Sequence, residues 1–362
     1  MYYNVSLVKK LRINGRIIKM GLHYISEVPS AEEVKSLFPM SEELTRLKEA
    51  SDAEIAKVIT GESDRFLVII GPCSADNEDA VLDYTTRLAA VQEKVGDKLL
   101  LIPRIYTNKP RTNGSGYKGM LHQPNPEEKP NFIEGLKAIR KMHIDSIRES
   151  HLTAADEMLY SDNWSYMSDI LSYVAVGARS VENQSHRLIA SGIDVPVGMK
   201  NPTFGDYTVM MNSCIAAQSK HTFMTAGWEV KSDGNPLAHC ILRGSVNRHG
   251  VSAPNYHYED LVRLSEAYQA FPTLQNPAVI VDANHNNSGK KWYEQPRIVS
   301  EILHSRRHSD VVNKLVKGVM IESYIEDGAQ AVGGSCYGQS ITDPCLGWEK
   351  SEKLLLEMAE TL

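Results

Sequence analysis

The sequence predicts a (β/α)8 barrel preceded by an N-terminal arm. From Phe66 onward, short runs rich in β-branched residues alternate with segments whose apolar residues recur every three or four positions. Such alternation indicates parallel strands joined by helical crossovers. The chain has 362 residues, more than the roughly 250–300 that one core usually holds, so a barrel with an addition is expected. An open, doubly wound sheet is the alternative that this pattern leaves.

Nine strand-like runs are present, one more than a closed barrel needs. They are Phe66–Ile70, Leu99–Ile105, Leu152–Ala155, Val174–Ala178, Val195–Met199, Thr222–Ala226, His239–Leu242, Ala278–Val281 and Gly318–Ile321. The segment between the sixth and seventh runs contains glycine, asparagine and proline and no helical pattern. We interpret it as a β-hairpin inserted in the sixth βα unit, which restores the count to eight. Helical patterns cover Ala80–Val95, Asn131–Arg148, Tyr258–Phe271 and Gln295–His304.

Residues 1–65 lie outside the repeat and are expected to form a regulatory or oligomerisation arm, with the catalytic barrel at 66–362. Pro29–Glu33 has the composition of a helix start, with acids in its first turn, and a second helix is expected over Glu42–Thr60. The apolar side of this arm needs a partner surface, either the barrel floor or another subunit. Basic residues interrupt residues 1–20, so they do not form a secretory signal. No structure is expected there, and Met20 is a candidate natural start.

Composition excludes several classes of protein. The net charge is −6, which argues against nucleic-acid or membrane-surface binding through overall charge. No stretch approaches the roughly 18 apolar residues of a membrane span. The five cysteines show no paired spacing, so a disulfide framework is not expected and a reducing cytoplasm is the predicted location.

Cationic side chains follow many of the predicted strands. Functional residues of such barrels lie at the carboxyl ends of the strands, and six cations occupy these positions: Arg104, Lys109, Arg111, Arg179, Lys200 and Arg243. Cations gathered at one mouth repel one another unless anionic ligands bind there, and guanidinium groups suit phosphate and carboxylate. The sequence therefore predicts a substrate site for more than one such group. The alternative is that each cation pairs with a nearby surface acid.

Four further strand-end residues have the donor atoms of a metal site. They are Cys73, His285, Glu322 and Asp343. One sulfur, one imidazole and two carboxylates suit a borderline divalent ion such as Mn, Fe, Co or Zn. Because these residues come from separate strands, their spacing gives no support, and a buried cysteine with a hydrogen-bonded histidine is the alternative.

Ten motifs follow one another along the chain: GPCS (71–74), KPRT (109–112), GYKG (116–119), GAR (177–179), ENQSHR (182–187), PVGMKN (196–201), ILRG (241–244), NHNNS (284–288), IES (321–323) and SITDPCLGWE (340–349). As a set, and in this order, they resemble the motifs of the type I 3-deoxy-D-arabino-heptulosonate 7-phosphate (DAHP) synthases, specifically the feedback-regulated alpha subclass. The family joins phosphoenolpyruvate to D-erythrose 4-phosphate, with water, to give DAHP and phosphate, the first step of aromatic amino-acid biosynthesis. The resemblance implies the same reaction here, with inhibition by an aromatic amino acid and a homodimer or homotetramer.

The resemblance also assigns roles to individual residues. Cys73, His285, Glu322 and Asp343 match the family's ligands for one divalent metal ion per subunit. The phosphoenolpyruvate site is matched by Arg104, Lys109, Ala178, Arg179, Lys200 and Arg243. The erythrose 4-phosphate site is matched by Pro110, Arg111 and Thr112. Lys109 and Glu157 are the implied catalytic residues, with Lys109 as the proton donor to the developing alkoxide.

A departure from the family pattern, an open choice of inhibitor and three alternative functions accompany this assignment. Ala75-Asp76-Asn77 stands where the family usually has Ile-His-Asp, so the surroundings of the metal, and with them its identity, can differ. Asp194 lies where the family distinguishes its inhibitors, which leaves Phe, Tyr and Trp open. The alternative functions are a sister synthase that uses arabinose 5-phosphate, a metal-dependent barrel hydrolase, and a non-catalytic amino-acid sensor. The KPRT motif and the arm favour the four-carbon aldose, and no expected ligand or lysine is missing.

Overall fold

The computed structural model describes residues 25–111 and 114–362, together with the paired backbone of two short strands, β1 (Arg12–Ile13) and β2 (Arg16–Ile17). The predicted substrate residue Thr112 and the hypothesis that the natural chain starts at Met20 lie outside the described residues.

Eight parallel strands form the central sheet, as predicted. They are β3 (Phe66–Gly71), β4 (Leu99–Pro103), β5 (Ala155–Glu157), β6 (Tyr173–Val176), β7 (Val197–Lys200), β10 (His239–Leu242), β13 (Val279–Asp282) and β14 (Val316–Glu322). Their order is β4-β3-β14-β13-β10-β7-β6-β5. A parallel bridge between Arg104 and Ala155 joins the two end strands and closes the barrel. Most of these side chains are buried, because the barrel strands pack against neighbours on both faces.

Helices cover the outside of this barrel and form the arm. They are α1 (Ala31–Leu37), α2 (Glu42–Thr60), α3 (Glu78–Val95), α4 (Phe132–Ser150), α5 (Asn163–Met167), α6 (Gln184–Ala190), α7 (Tyr207–Gln218), α8 (Tyr258–Gln269), α9 (Gln295–His308), α10 (Asp310–Leu315) and α11 (Trp348–Thr361). Side chains at the helix starts fix several of them: Asn77 accepts a hydrogen bond from the amide of Ala80, and Asn131 from that of Glu134. The four helical patterns of the sequence correspond to α3, α4, α8 and α9.

Helix α2 of the arm packs against the floor of the barrel. Ser30 and Glu33 form a reciprocal capping box at the start of α1. Helix α2 spans the predicted residues and contributes Ile55, Val58 and Ile59 to the core cluster inside the barrel. The floor of the barrel is therefore the partner surface of α2. The division into a functional arm at 1–65 and a catalytic unit at 66–362 stays a prediction.

The extra strand-like run at Thr222–Ala226 belongs to the first of two antiparallel hairpins, which lies before the sixth barrel strand, β10, whereas the sequence predicted it in the sixth βα unit. Strands β8 (His221–Thr225) and β9 (Trp228–Ser232) pair across Ala226 and Gly227, whose φ angles are +48° and +80°, as a two-residue hairpin turn requires. This hairpin lies outside the barrel, between α7 and β10, and its first strand alternates between half-buried and exposed side chains. A second, shorter hairpin, β11 (Ser245–Val246) and β12 (Ser252–Ala253), follows β10 within the sixth βα unit. In the described part of the chain, none of the helices is both long and apolar enough to span a membrane.

Candidate active site

The carboxyl ends of the barrel strands surround a cavity of about 460 Å³. It brings together twelve of the thirteen predicted site residues that the structure describes, and only Glu322, 1% exposed, lies behind its wall. The twelve are Cys73, Arg104, Lys109, Pro110, Arg111, Glu157, Ala178, Arg179, Lys200, Arg243, His285 and Asp343. Residues up to 270 positions apart in sequence meet here because parallel strands end at one face of the barrel.

The four predicted metal ligands converge at one side of this cavity. Ligand atoms of Cys73, Glu322 and Asp343 all lie within 4.8 Å of one another, and the Nε2 atom of His285 lies 3.7 Å from a Glu322 oxygen. The other ring nitrogen of His285 is 2.7 Å from Asp282, an outer carboxylate of the kind that orients ligating histidines. His285 has a φ angle of +48°, a strained conformation that is typical of functional sites. Sulfur, nitrogen and carboxylate donors at these separations fit a borderline divalent metal ion.

Cations hold this ligand group together. The Lys109 ammonium lies 2.6 Å from the Cys73 sulfur and 3.0 Å from Oδ2 of Asp343. Lys290 binds the other oxygen of Asp343 at 3.0 Å. Behind them, Arg104 donates to Glu322 at 3.0 Å. Each acidic ligand is therefore ion-paired, which offsets the cost of burying it.

The same charges set the protonation of the ligand group. Burial raises the pKa of the Cys73 thiol, and the carboxylates of Glu322 and Asp343 raise it further. Burial would also raise the pKa of Asp343, but the charges of Lys109, Lys290 and His285 outweigh it, and the pKa lies below its ordinary value. The carboxylate is thus ready to bind a cation, whereas the thiol must lose a proton to do so.

The predicted anion-binding cations line the same cavity. The Arg104 guanidinium stacks on the Tyr106 ring, 3.6 Å from its centroid, and the Lys200 ammonium lies 3.8 Å from Asp282. Arg243 is 7% exposed, and its Nη1 atom has no hydrogen-bond partner among the described residues. Burial, together with the charge of Arg179, lowers the pKa of Arg243. A phosphate or carboxylate would supply the hydrogen bonds that this guanidinium lacks.

Lys290 is a site residue that the sequence analysis missed. It lines the cavity, and its amide donates to the His285 carbonyl at 2.7 Å, which closes a tight loop after β13. Its φ angle of +62° holds the side chain over Asp343. The available signal was a lysine five positions beyond a candidate metal ligand, in a strand-end loop. Arg111, on the far rim, donates to the Tyr117 carbonyl at 2.8 Å and is thereby fixed at the mouth.

Comparisons with known proteins agree with this arrangement. A family model described as the DAHP synthetase I family matches residues 39–356. A phospho-2-dehydro-3-deoxyheptonate aldolase of Haemophilus influenzae is 36% identical over 90% of this chain and 89% of its own. The Phe-sensitive enzyme of that name from Escherichia coli K12 is 34% identical over 90% and 91%. A solved structure of the Francisella tularensis aldolase superposes with a TM-score of 0.86 at 31% identity, covering 94% of this chain and 98% of that one. These matches confirm the predicted family, barrel and enzyme class.

Proposed function

The chain belongs to the DAHP synthetase I family, and we propose that it condenses phosphoenolpyruvate with D-erythrose 4-phosphate and water to give DAHP and phosphate. The single observation that carries this proposal is the position of Lys109. Its ammonium contacts two candidate metal ligands, and its side chain lines the cavity that Arg104, Arg179, Lys200 and Arg243 also line. One cavity thus combines a cation site with an anion site, and an acid lies between them.

Phosphoenolpyruvate is assigned to the cationic side. Its phosphate and carboxylate suit the guanidinium and ammonium groups of Arg104, Arg179, Lys200 and Arg243, and the backbone of Ala178 lies beside them on the cavity wall. The unpaired Nη1 atom of Arg243 supports this assignment. These cations can also stabilise the charge that develops as the carbon–carbon bond forms.

The aldose phosphate is assigned to the rim formed by Pro110 and Arg111, with Thr112 as its sequence-based third member. Lys290 lies on the same cavity wall and adds a cation there. Two anionic substrates would then lie face to face in one cavity, which supplies the proximity that a two-substrate reaction needs.

Lys109 is assigned as the proton donor to the aldehyde oxygen, and Glu157, which lines the same cavity, is assigned as the second catalytic residue. Burial alone would lower the pKa of Lys109, but Cys73 and Asp343 raise it above its ordinary value, so the group carries a proton at neutral pH. A Mn, Fe, Co or Zn ion held by Cys73, His285, Glu322 and Asp343, one per subunit, would polarise the aldehyde oxygen or activate water.

The test is phosphate release from phosphoenolpyruvate with erythrose 4-phosphate or arabinose 5-phosphate, with and without a chelator and added Mn. We expect release with the four-carbon aldose only, its loss on chelation, and its recovery with Mn. Lys109→Met should abolish release, whereas Lys291→Met, an exposed lysine outside the cavity, should not. Release with arabinose 5-phosphate alone would transfer the assignment to the sister synthase. Release without any aldose would indicate a hydrolase, and no release with any metal would indicate the sensor.

Regulation by an aromatic amino acid is supported by the relatives. Enzymes named Trp-sensitive (Enterobacter agglomerans), Phe-sensitive and Tyr-sensitive (both E. coli K12) are 35%, 34% and 33% identical to this chain. Because these values are almost equal, they do not select the inhibitor, and Phe, Tyr and Trp should each be added to the release assay. We also propose a cytoplasmic homodimer or homotetramer in which the arm at 1–65 contributes to regulation or assembly; sedimentation of the full chain tests the oligomer.

A further inference from the structure

Asp156 is a buried carboxylate at the end of β5, directly before the predicted catalytic residue Glu157. It is 4% exposed and does not line the cavity. Its Oδ1 atom accepts hydrogen bonds from the backbone amides of Thr107, at 2.9 Å, and Glu157, at 2.7 Å. Its Oδ2 atom accepts a hydrogen bond from the Thr107 hydroxyl. One side chain thus connects the segment after β4 with the end of its own strand, β5.

The segment after β4 and the end of β5 carry the two predicted catalytic residues, Lys109 and Glu157. Thr107 belongs to the segment after β4, two positions before Lys109. The amide of Lys109 donates a hydrogen bond to the Lys118 carbonyl at 3.0 Å. Glu157 is held on its other side by Gly177, because its carboxylate occupies the space that a β-carbon at position 177 would need. A shift of Asp156 would therefore move both catalytic groups relative to each other.

The segment after β4 and the end of β5 also border the seam between β4 and β5, where the barrel has its fewest strand pairings. Neighbouring strands elsewhere in the barrel share ladders of at least three residue pairs. In the part of the chain that the structure describes, β4 and β5 share the single bridge between Arg104 and Ala155. The carboxylate of Asp156 adds two hydrogen bonds from Thr107 across this seam, just beyond the bridge, and a third from the amide of Glu157 on its own strand. The two bonds from Thr107 therefore supplement the single backbone bridge between β4 and β5.

His143 of α4 lies behind the carboxylate. It is fully buried, and its Nε2 atom is 3.6 Å from Oδ2 of Asp156. Thr107 is also fully buried. Removal of the carboxylate would therefore leave the buried amide of Thr107 and the amide of half-buried Glu157 without this acceptor.

We propose that Asp156 is a positioning residue that latches the barrel seam and thereby fixes the distance between Lys109 and Glu157. The kinetic consequence rests on the proposed function, because it needs the two groups to act on one substrate pair. The latch itself does not.

The test compares Asp156→Ala, Asp156→Asn and Thr107→Val, with Thr85→Val as a buried threonine outside the mouth. Asparagine keeps an oxygen for the two backbone amides and can donate to the Thr107 hydroxyl, so Asp156→Asn should remain close to wild type. Asp156→Ala should lower kcat by ~100-fold, the effect of misplacing catalytic groups by about 1 Å, while the affinities for metal and phosphoenolpyruvate change little. Thr107→Val, which removes one of the three bonds, should lower kcat by less.

Amide hydrogen exchange provides a readout that does not need turnover. The amides of Thr107 and Glu157 should exchange faster in Asp156→Ala than in wild type, in Asp156→Asn or in Thr85→Val. Unchanged exchange would overturn the latch. Faster exchange with unchanged kcat would overturn its catalytic consequence, and equal damage by Ala and Asn would assign the effect to charge instead of position. If exchange is faster in Asp156→Ala as expected but wild type shows no synthase turnover, only the proposed function is refuted.

Discussion

Because of His239, the stability of the protein should fall as the pH is lowered from neutral to 4. His239 begins β10 and is fully buried inside the barrel, where Nδ1 donates to the Leu237 carbonyl at 2.8 Å and Nε2 accepts from the Tyr173 hydroxyl at 2.7 Å. This arrangement uses the neutral imidazole, and burial lowers the pKa to about 4 from 6.5. Below pH 6.5 the unfolded chain binds a proton that the folded chain does not, so stability falls until pH 4. A difference of about 2.5 units corresponds to about 3 kcal/mol, or about 2 kcal/mol by pH 5.

The assay is urea unfolding of wild type and His239→Gln at pH 7.5 and pH 5.0. Glutamine can keep both polar contacts but binds no proton in this range. Other titrating groups are common to the two proteins, so we expect wild type to lose about 2 kcal/mol more than the variant across the interval. His249→Gln, at an exposed position, serves as the control. Equal losses in wild type and His239→Gln would refute the reasoning.

Three further results are expected. Burial raises the pKa of Asp76 to about 7, and its Oδ1 atom has no hydrogen-bond partner among the described residues. The folded chain therefore keeps a proton that the unfolded chain releases, and wild type should lose about 3 kcal/mol of stability relative to Asp76→Asn as the pH rises from 5 to 8. Parallel urea curves at the two pH values would contradict this. Gly177→Ala should displace the carboxylate of Glu157 and lower kcat by roughly 10–100-fold with little change in melting temperature; an unchanged kcat would remove Glu157 from the catalytic set. Lys290→Met should raise KM for the aldose phosphate about tenfold, as the loss of one charged hydrogen bond predicts, whereas steady-state kinetics of Lys291→Met should match wild type.

The sequence was sufficient for the barrel and for most of the mouth. Strands buried on both faces form continuous apolar runs in the sequence, and their direction alone indicates which face of the barrel is functional. Cys73 and Asp343 could therefore be assigned to one site without knowledge of any contact between them. The run at Thr222–Ala226 has the same β-branched and aromatic composition as a barrel strand. Composition does not reveal that its side chains alternate between half-buried and exposed. Composition alone therefore predicts a ninth barrel strand, and only the turn residues after this run indicate a hairpin.

Side-chain networks behind the mouth are harder to predict because their members have no shared spacing. Asp156 and Thr107 lie 49 positions apart in sequence. Each of them alone resembles an ordinary polar residue near the end of a strand. Lys290 was missed for a related reason, since its function depends on a backbone with positive φ that a lysine rarely adopts. Strand direction predicts which residues reach the mouth, but loop conformation decides how they are oriented.

The electrostatics of the two sides of the cavity differ in a way that bears on function. At the metal side every acidic ligand is already paired, Glu322 with Arg104 and Asp343 with Lys109 and Lys290. At the anion side Arg243 is buried with an unsatisfied nitrogen and a lowered pKa. An unsatisfied nitrogen on a buried guanidinium lowers the stability of the folded chain, and an anionic substrate that accepts its hydrogen bond recovers that free energy. The unsatisfied donor therefore lies where phosphoenolpyruvate is proposed to bind.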